Sequence, residues 1–514
     1  FRTCAEQIAR LVKKYKGSLS GEHGDGRLRG EFIPWMIGEK NYALLKDIKK
    51  TWDKENIFNP HKIVDTPAMN TFLRYEPGQE TPEFDTIFDW SATQGILRAA
   101  EMCNGSGDCR KTELSGGTMC PSYMATRNEK DTTRARANIL REYLTHSRKT
   151  NRFDHEEIKE VMDLCLSCKG CKAECPSNVD VGKLKAEFLY QYQKSNGISW
   201  RTWMISHFSQ LNAFASLMPW AYNFVFSTPI LSAIAKELSG FAPKRSIPLL
   251  YKTTLRHWYN RHRKNGAVKQ TGKRIYLFCD EFTNYNDVPI GIKAIELLER
   301  LGYEVIIPVH VESGRTFLSK GLLKEAQSVA IRNIDLLKNI VSEQTPLVGI
   351  EPSAILTFRD EYLDLCFPHQ KESAKKLAQH TLLFDEFISR EIDNRNIRSQ
   401  QFKSEKKIIK LHGHCHQKAL ASLVSTKRML QLPYGYEVHL IRSGCCGMAG
   451  SFGYEKEHYD LSMKIGELVL FPEVRKQPED VLIAAAGTSC RHQIKDGTGR
   501  IALHPIEILH QALL

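Results

Sequence analysis

The stretch "CLSCKGCKAECPSN", residues 165–178, carries four cysteines separated by two, two and three residues, the last followed by proline. Thiolates are soft ligands, and a converging set of them holds either zinc or an iron-sulfur cluster. Zinc sites usually come as two separated C-x2-C pairs. Three cysteines on one tight loop with a fourth before proline suit a [4Fe-4S] cluster, the fourth turning away to serve a neighbouring cluster. A second stretch, "CNGSGDCRKTELSGGTMCPSY" at 103–123, repeats this plan with changes. By cross-ligation, one cluster takes Cys165, Cys168, Cys171 and Cys120, a full set of thiolates. The other takes Cys103, Cys109 and Cys175, with Ser106 where the remaining cysteine is due. A serine hydroxyl gives up its proton far less readily than a thiol. Three outcomes are therefore open there: a three-iron cluster, a four-iron cluster with an outside ligand, or no cluster. The gap from Cys109 to Cys120 is also longer than this motif usually has.

Size and composition fit this reading. A chain of 514 residues has room for several domains, each burying its own core. Charged residues at 25% and hydrophobic ones at 42% are ordinary for globular protein. The 14 cysteines sit mostly in tight clusters, and no signal peptide is evident, so a reducing, cytoplasmic setting with thiolates reserved for metal is expected. The chain opens at Phe1 inside a helix-like pattern (Cys4, Ile8, Leu11, Val12, Tyr15) and reads as a piece of a longer protein. The net charge of +13 is scattered over the sequence, with a short run "RHWYNRHRKNG" at 256–266. Solvated helix faces account for most of it, an anionic membrane surface is the alternative, and no motif points to nucleic acid.

Along the chain, residues 1–66 alternate helical patterns with the Gly-rich turn "GSLSGEHGDGR", and 67–97 read as a linker. The cysteine-rich region, 98–193, is helical between its motifs. Residues 194–270 form an aromatic helical connector. From 271 onward strands alternate with helices, which predicts an α/β layer fold. That part is repeated: "RIYLFCDEF", "GYEVIIPVHVESGR" and "PSAILTFRDE" in 271–366 match "IIKLHGHCHQ", "GYEVHLIRSGCCGM" and "AAAGTSCRHQ" in 406–514, with a connector at 367–405.

"SLSGEHGDGR" at 18–27, followed by "IFNPHKIV" at 57–64, resembles the C-terminal end of the substrate domain in FAD-linked oxidases of the D-lactate dehydrogenase and glycolate oxidase type. Read from the residues alone, three glycines, Gly21, Gly24 and Gly26, let this loop approach a flat ligand. A histidine beside a carboxylate is suited to taking a hydroxyl proton, and a carboxylate to binding a divalent cation. The resemblance implies that Glu22 is a ligand of a divalent metal, that His23 serves the chemistry, and that Asn59 lies near FAD. The order of this end, the twin cysteine motif and the repeats looks like the fused FAD/Fe–S oxidoreductases that oxidise D-lactate or D-2-hydroxyglutarate. "MCPSYMATRNEKDTTRARANILRE" and "CPSNVDVGKLKAEFLYQY" carry that likeness. The second repeat, with Cys415, Cys445, Cys446 and Cys490, resembles the CCG domains of heterodisulfide reductase and anaerobic glycerol-3-phosphate dehydrogenase subunits, which implies iron-sulfur or zinc. Gln493 stands where that pattern has a further cysteine. In the first repeat Cys279 survives, while Glu312-Ser313-Gly314 and Ala354 replace the other cysteines, so it is expected to be a structural partner without metal. Cys366 fits neither frame and is expected in the core.

From Thr202 to Ala235 the chain has no Lys, Arg, Asp or Glu. Its recurrent Ser, Asn and Gln, with Pro219 and Pro229, rule out a membrane span. Packed helices between domains are one reading, and an interfacial patch that docks on a bilayer and admits quinone is the other. The expected architecture is multidomain α/β plus α: the end of an α+β FAD-oxidase substrate domain, a helical ferredoxin-type domain and two α/β CCG repeats. The expected activity is oxidation of a D-2-hydroxy acid, its electrons passing from FAD through [4Fe-4S] to quinone or another acceptor. Rivals are a flavin-free electron-transfer subunit and a non-catalytic metal-binding scaffold.

Overall fold

The computed structural model describes residues 1–74, 78–264 and 272–514. The end of the basic run, from 265 on, and the expected boundary near 270 lie outside the described residues. The chain divides into two compact units, Phe1–Thr81 and Pro82–Leu514.

The first unit contains the helices Arg2–Lys14, Ile33–Ile37 and Glu39–Trp52. Its described residues form no strand. The buried carboxylate of Asp53 ends the last helix and shapes the turn after it, accepting from Ile57 N at 2.9 Å and Phe58 N at 3.0 Å. The Gly-rich loop and the "FNPHKIV" segment meet through Ile63 N donating to Gly26 O at 3.1 Å. Ile8, Leu11, Leu44 and Ile48 remain exposed along two of these helices.

The second unit begins with a helical region. Helices Thr133–His146 and Val181–Asn196 bury Leu140, Leu144, Leu184 and Phe188 in one core. Both have side-chain caps: Thr132 accepts from Ala135 N, and Asp180 from Lys183 N, each at 3.0 Å. Short helix Pro121–Thr126 follows the first cysteine segment, and Gly170–Glu174 lies within the second and carries Cys171. The aromatic segment folds into Trp200–Ser206, Phe208–Ala215, Pro219–Ser227 and Pro229–Leu238. Among the described residues no helix is long and apolar enough to cross a membrane.

Two four-stranded parallel sheets follow, and their topologies match. The first comprises β1 (Arg274–Phe278), β2 (Glu304–Ile306), β3 (Leu347–Gly349) and β4 (Thr381–Leu383), in the order β2-β1-β3-β4. The second comprises β5 (Lys407–His412), β6 (Tyr436–Leu440), β7 (Leu482–Ala485) and β8 (Ala502–Leu503), in the order β6-β5-β7-β8. Apolar residues of both sheets, among them Leu277, Val348, Leu411 and Ala484, share one core. In open parallel sheets the groups that do chemistry gather beyond the carboxyl ends of the strands, where the strand order reverses. Cys415, Cys445 and Cys490 follow β5, β6 and β7 in this way.

The structure corrects the alignment of the repeats. β1 ends at Phe278, paired with Gly349, and β5 ends at His412, paired with Ala485. The next helices are capped by Asp280 and His414. Cys279 therefore corresponds to Gly413, and the counterpart of Cys415 is Glu281. The thiolate positions of the second repeat become Glu281, Glu312, Ser313 and Ala354 in the first. Ser313 donates to Glu281 through its amide at 2.9 Å and its hydroxyl at 2.6 Å. Burial and the neighbouring Glu281 push Asp280 and Glu312 each up to about 8.

A buried ion network ties the cysteine loop to the first repeat. Lys169 pairs with Asp360 and with Glu361 at 2.7 Å, Lys172 also pairs with Asp360, and Arg315 meets Glu361 at 2.7 Å. Cys366 is 8% exposed and packs in the core, as expected.

Candidate metal centres

The loop 165–171 has to turn tightly, and Ser167 and Lys169 both take left-handed φ, 50° and 60°. A Cβ on Gly170 would lie 3.0 Å from Met119 N and 3.1 Å from Thr118 C, so the two cysteine segments meet where only glycine fits without displacement. Glu174 fastens that contact, accepting from Thr118 N at 2.6 Å and Met119 N at 3.2 Å while pairing with Lys111. Cys120 is thereby presented to Cys165, Cys168 and Cys171, and the four line one cavity. No three of these sulfurs lie within 4.8 Å of one another. Sulfurs bound at ~2.3 Å to one tetrahedral zinc would lie roughly 3.8 Å apart. The spread suits a polynuclear cluster better than a single ion.

Lys169 and Arg136 are both cations lining this cavity, and Arg136 is 1% exposed. It donates to Asp131 O at 2.7 Å, Val161 O at 3.0 Å, Ser122 Oγ at 3.1 Å and Cys120 Sγ at 3.6 Å. Lys185 Nζ donates to Cys165 O at 2.6 Å. Burial raises the thiols of Cys120, Cys168 and Cys171 above the ordinary range. A metal centre would supply the positive charge that deprotonates such a set. Arg136, Glu174 and Lys185 escaped the sequence reading, because on amphipathic helices they look like solvated charges.

Cys103 and Cys109 are buried next to one another, and the thiol of Cys120 feels both Cys109 and Cys165. Cys175 is half-buried at the end of helix Gly170–Glu174. Ser106 is exposed, its amide held by Asn104 Oδ1 at 3.0 Å.

The third set lies beyond β5, β6 and β7. Cys415, Cys445, Cys446 and Cys490 are all at most 5% exposed, and the Cys415 and Cys445 sulfurs are 3.6 Å apart. Cys446 accepts hydrogen bonds from Cys445 and Cys490, which hold its pKa well below the ordinary thiol range. Hydrogen bonding to Cys415 and Cys446 raises Cys445 in turn. Glu351 of the first repeat closes one wall, accepting from Thr488 N at 2.9 Å and lying 3.8 Å from His414 Nε2.

This set adjoins the first. Cys168, Cys415 and Cys445 share one packed cluster with Leu166 and Phe452, and the His416 ring nitrogen is 3.1 Å from Ser167 O. Thiols therefore run in near-continuous succession from Cys103 and Cys109 through Cys120 to Cys168 and on to Cys415. Such an order suits passage of single electrons.

Glu22 and His23, in the first unit, sit exposed on the Gly-rich loop, and Asn59 is exposed at φ 49°. Among the described residues Glu22 converges with no second and third potential metal ligand.

Comparison with known proteins gives two domain matches. Residues 1–63 match the family of FAD linked oxidases, C-terminal domain, and residues 102–180 match the 4Fe-4S dicluster domain. Over 98% of its length the chain is 25% identical to D-2-hydroxyglutarate dehydrogenase of Escherichia coli (strain K12), covering 52% of that protein. It is 28% identical over 99% of its length to the Pseudomonas putida protein of the same name, again covering 52%. Over 66% of the chain it is 25% identical to a subunit of the anaerobic glycerol-3-phosphate dehydrogenase of Escherichia coli (strain K12), covering 83% of that polypeptide. The chain thus spans about half the length of the D-2-hydroxyglutarate dehydrogenases it matches. No solved structure matches it. On one chain, residues 1–63 carry an FAD linked oxidase C-terminal domain and residues 102–180 a 4Fe-4S dicluster domain.

Proposed function

We propose that this chain is the electron-relay part of a flavin-dependent D-2-hydroxy acid dehydrogenase, with D-2-hydroxyglutarate as the leading substrate. The observation that carries this reading is the packing of Cys168 against Cys415, which joins two thiolate sets into one route. Cys120, Cys165, Cys168 and Cys171 would hold a [4Fe-4S] cluster, which when bound supplies one-electron transfer. Cys103, Cys109 and Cys175 would hold a second, and Cys415, Cys445, Cys446 and Cys490 an iron-sulfur or zinc centre. Arg136 balances the thiolate charge at the first of these sites. FAD, which supplies hydride acceptance, would be held mainly by a flavin-binding domain acting with Asn59. His23 takes the substrate's hydroxyl proton, and Glu22 helps to hold a divalent cation against its oxygens. The exposed apolar residues Ile8, Leu11, Leu44 and Ile48 support a covering domain for the first unit. The match of residues 1–63 to an oxidase domain speaks against a flavin-free subunit.

The acceptor we favour is a quinone, reached from the cytoplasmic face of the inner membrane. Phe214, Trp220, Ile230 and Leu238 support that placement, each at least 71% exposed on the aromatic helices. The test is dye reduction by the chain joined to its flavin-binding domain. D-2-hydroxyglutarate or D-lactate is expected to drive it, and His23→Ala to slow it about 100-fold or more. A rate independent of both acids sinks the enzyme reading. Flotation with anionic vesicles at low salt, weakened by Trp220→Ser, is the expected sign of membrane contact.

The second cluster has its own test. Ser106→Cys supplies the missing thiolate and is expected to raise the iron retained per chain after anaerobic reconstitution. An unchanged iron count would show that position 106 faces no cluster.

A further inference from the structure

The C-terminal thiolate set lacks one sulfur, because Gln493 stands one helical turn beyond Cys490 where a further cysteine is expected. Gln493 is fully buried and its amide donates to Ser462 O at 2.9 Å, so it is engaged elsewhere. The site nevertheless contains another donor. His412, the last residue of β5, is 1% exposed, and its Nδ1 lies 2.8 Å from Ser443 Oγ. Its buried Nε2 makes no regular hydrogen bond, and the ring interacts with the Cys446 sulfur. One His412 ring nitrogen and the sulfurs of Cys446 and Cys490 all lie within 4.8 Å of one another. A buried ring nitrogen without a strong partner is costly, and a metal ion would satisfy it.

The other nearby histidines are otherwise engaged. His414 caps its helix, Nδ1 accepting from His416 N at 3.2 Å, and its Nε2 faces Glu351. His416 reaches Ser167 O. His492 lies outside the converging group. Metal-bound histidines almost always have the second ring nitrogen held by a hydrogen bond, which fixes the tautomer. Ser443 Oγ is placed to accept from Nδ1–H and leave the Nε2 lone pair directed at the sulfurs.

We propose that His412 is a nitrogen ligand of the metal held by Cys446 and Cys490, with Ser443 as its positioning residue, making the C-terminal site a mixed nitrogen–sulfur centre. The proposal rests on the reading that these thiolates hold metal at all. With iron in the site, a neutral imidazole in place of a thiolate raises the reduction potential, as histidine does in other iron-sulfur proteins. The C-terminal site would then be the downhill end of the relay.

The test uses the full chain, anaerobically reconstituted with iron and sulfide and labelled with 15N-histidine. If the site holds iron, pulsed EPR of the reduced protein is expected to show a strongly coupled 15N. His412→Ala should remove that coupling and His414→Ala should keep it. If the site holds zinc, X-ray absorption is expected to show a nitrogen at about 2.0–2.1 Å beside sulfurs near 2.3 Å, and His412→Ala to remove the nitrogen. Ser443→Ala should keep the nitrogen signal and weaken metal retention by about 10–100-fold. A sulfur-only shell in the unmutated chain, or the same spectrum after His412→Ala while Cys446→Ser empties the site, overturns the proposal alone. Metal retained in full by both Cys446→Ser and Cys490→Ser overturns the thiolate reading, and the proposal with it.

Discussion

Asp360→Ala is expected to destabilise the second unit by about 3–5 kcal/mol, read as a lowered urea midpoint. Asp360 is 6% exposed and pairs with both Lys169 and Lys172. Without it, Lys169, itself 4% exposed, shares Glu361 with Arg315 and keeps an uncompensated part of its charge. Burial works against the Asp360 carboxylate, but the two lysines hold its pKa well below the usual carboxylate range. A depressed carboxylate contributes stability above its unfolded pKa, ~3.9, and loses it as pH falls through the folded value. The deficit of the variant is therefore expected in full at neutral pH and to shrink below about pH 4. The double exchange Lys169→Met, Asp360→Leu removes the buried lysine with its partner, leaves half-buried Lys172 with Asp180 at 3.5 Å, and is expected to recover part of the loss. An unaltered midpoint for Asp360→Ala would mean that the network does not hold the cysteine loop to the first repeat.

Cys171→Ala is expected to abolish the first cluster. The thiol is 7% exposed and lines the cavity with Cys120, Cys165 and Cys168. Loss of about four irons per chain should follow, with loss of the EPR signal of the reduced cluster and of dye reduction. Cys366→Ala, which removes a core thiol outside every set, is expected to retain iron and lose only about 1–2 kcal/mol of stability. Equal iron in Cys171→Ala and the unmutated chain would contradict the ligand assignment.

Much of this architecture was legible in the amino-acid sequence because cysteine spacing and strand periodicity are local signals. The loop at 165–175 announces its ligands through short intervals, and "GYEV" marks the second strand of each repeat. The residues that prepare the site are not local in this sense. Glu174 and Arg136 act on Thr118, Met119 and Cys120 from more than a dozen positions away, and only the packed helices bring them together. Register was misread for a related reason. Anchoring the repeats on cysteine paired Cys279 with Cys415, whereas the strand ends set Glu281 opposite it. His412 carries no spacing signal in the sequence, since its role depends on the inward parity of β5. The Gly-rich loop bearing Glu22 and His23 is an exposed turn, and its contacts within the first unit do not mark it as a site.

The central claim is that Cys120, Cys165, Cys168 and Cys171 cage a redox-active cluster. Its most direct test is EPR of the anaerobically reconstituted, dithionite-reduced chain, together with iron and acid-labile sulfide counts. At least about four irons and four sulfides per chain are expected, with the signal of a reduced four-iron cluster. Colourless protein, free of iron or carrying only zinc, would contradict the claim.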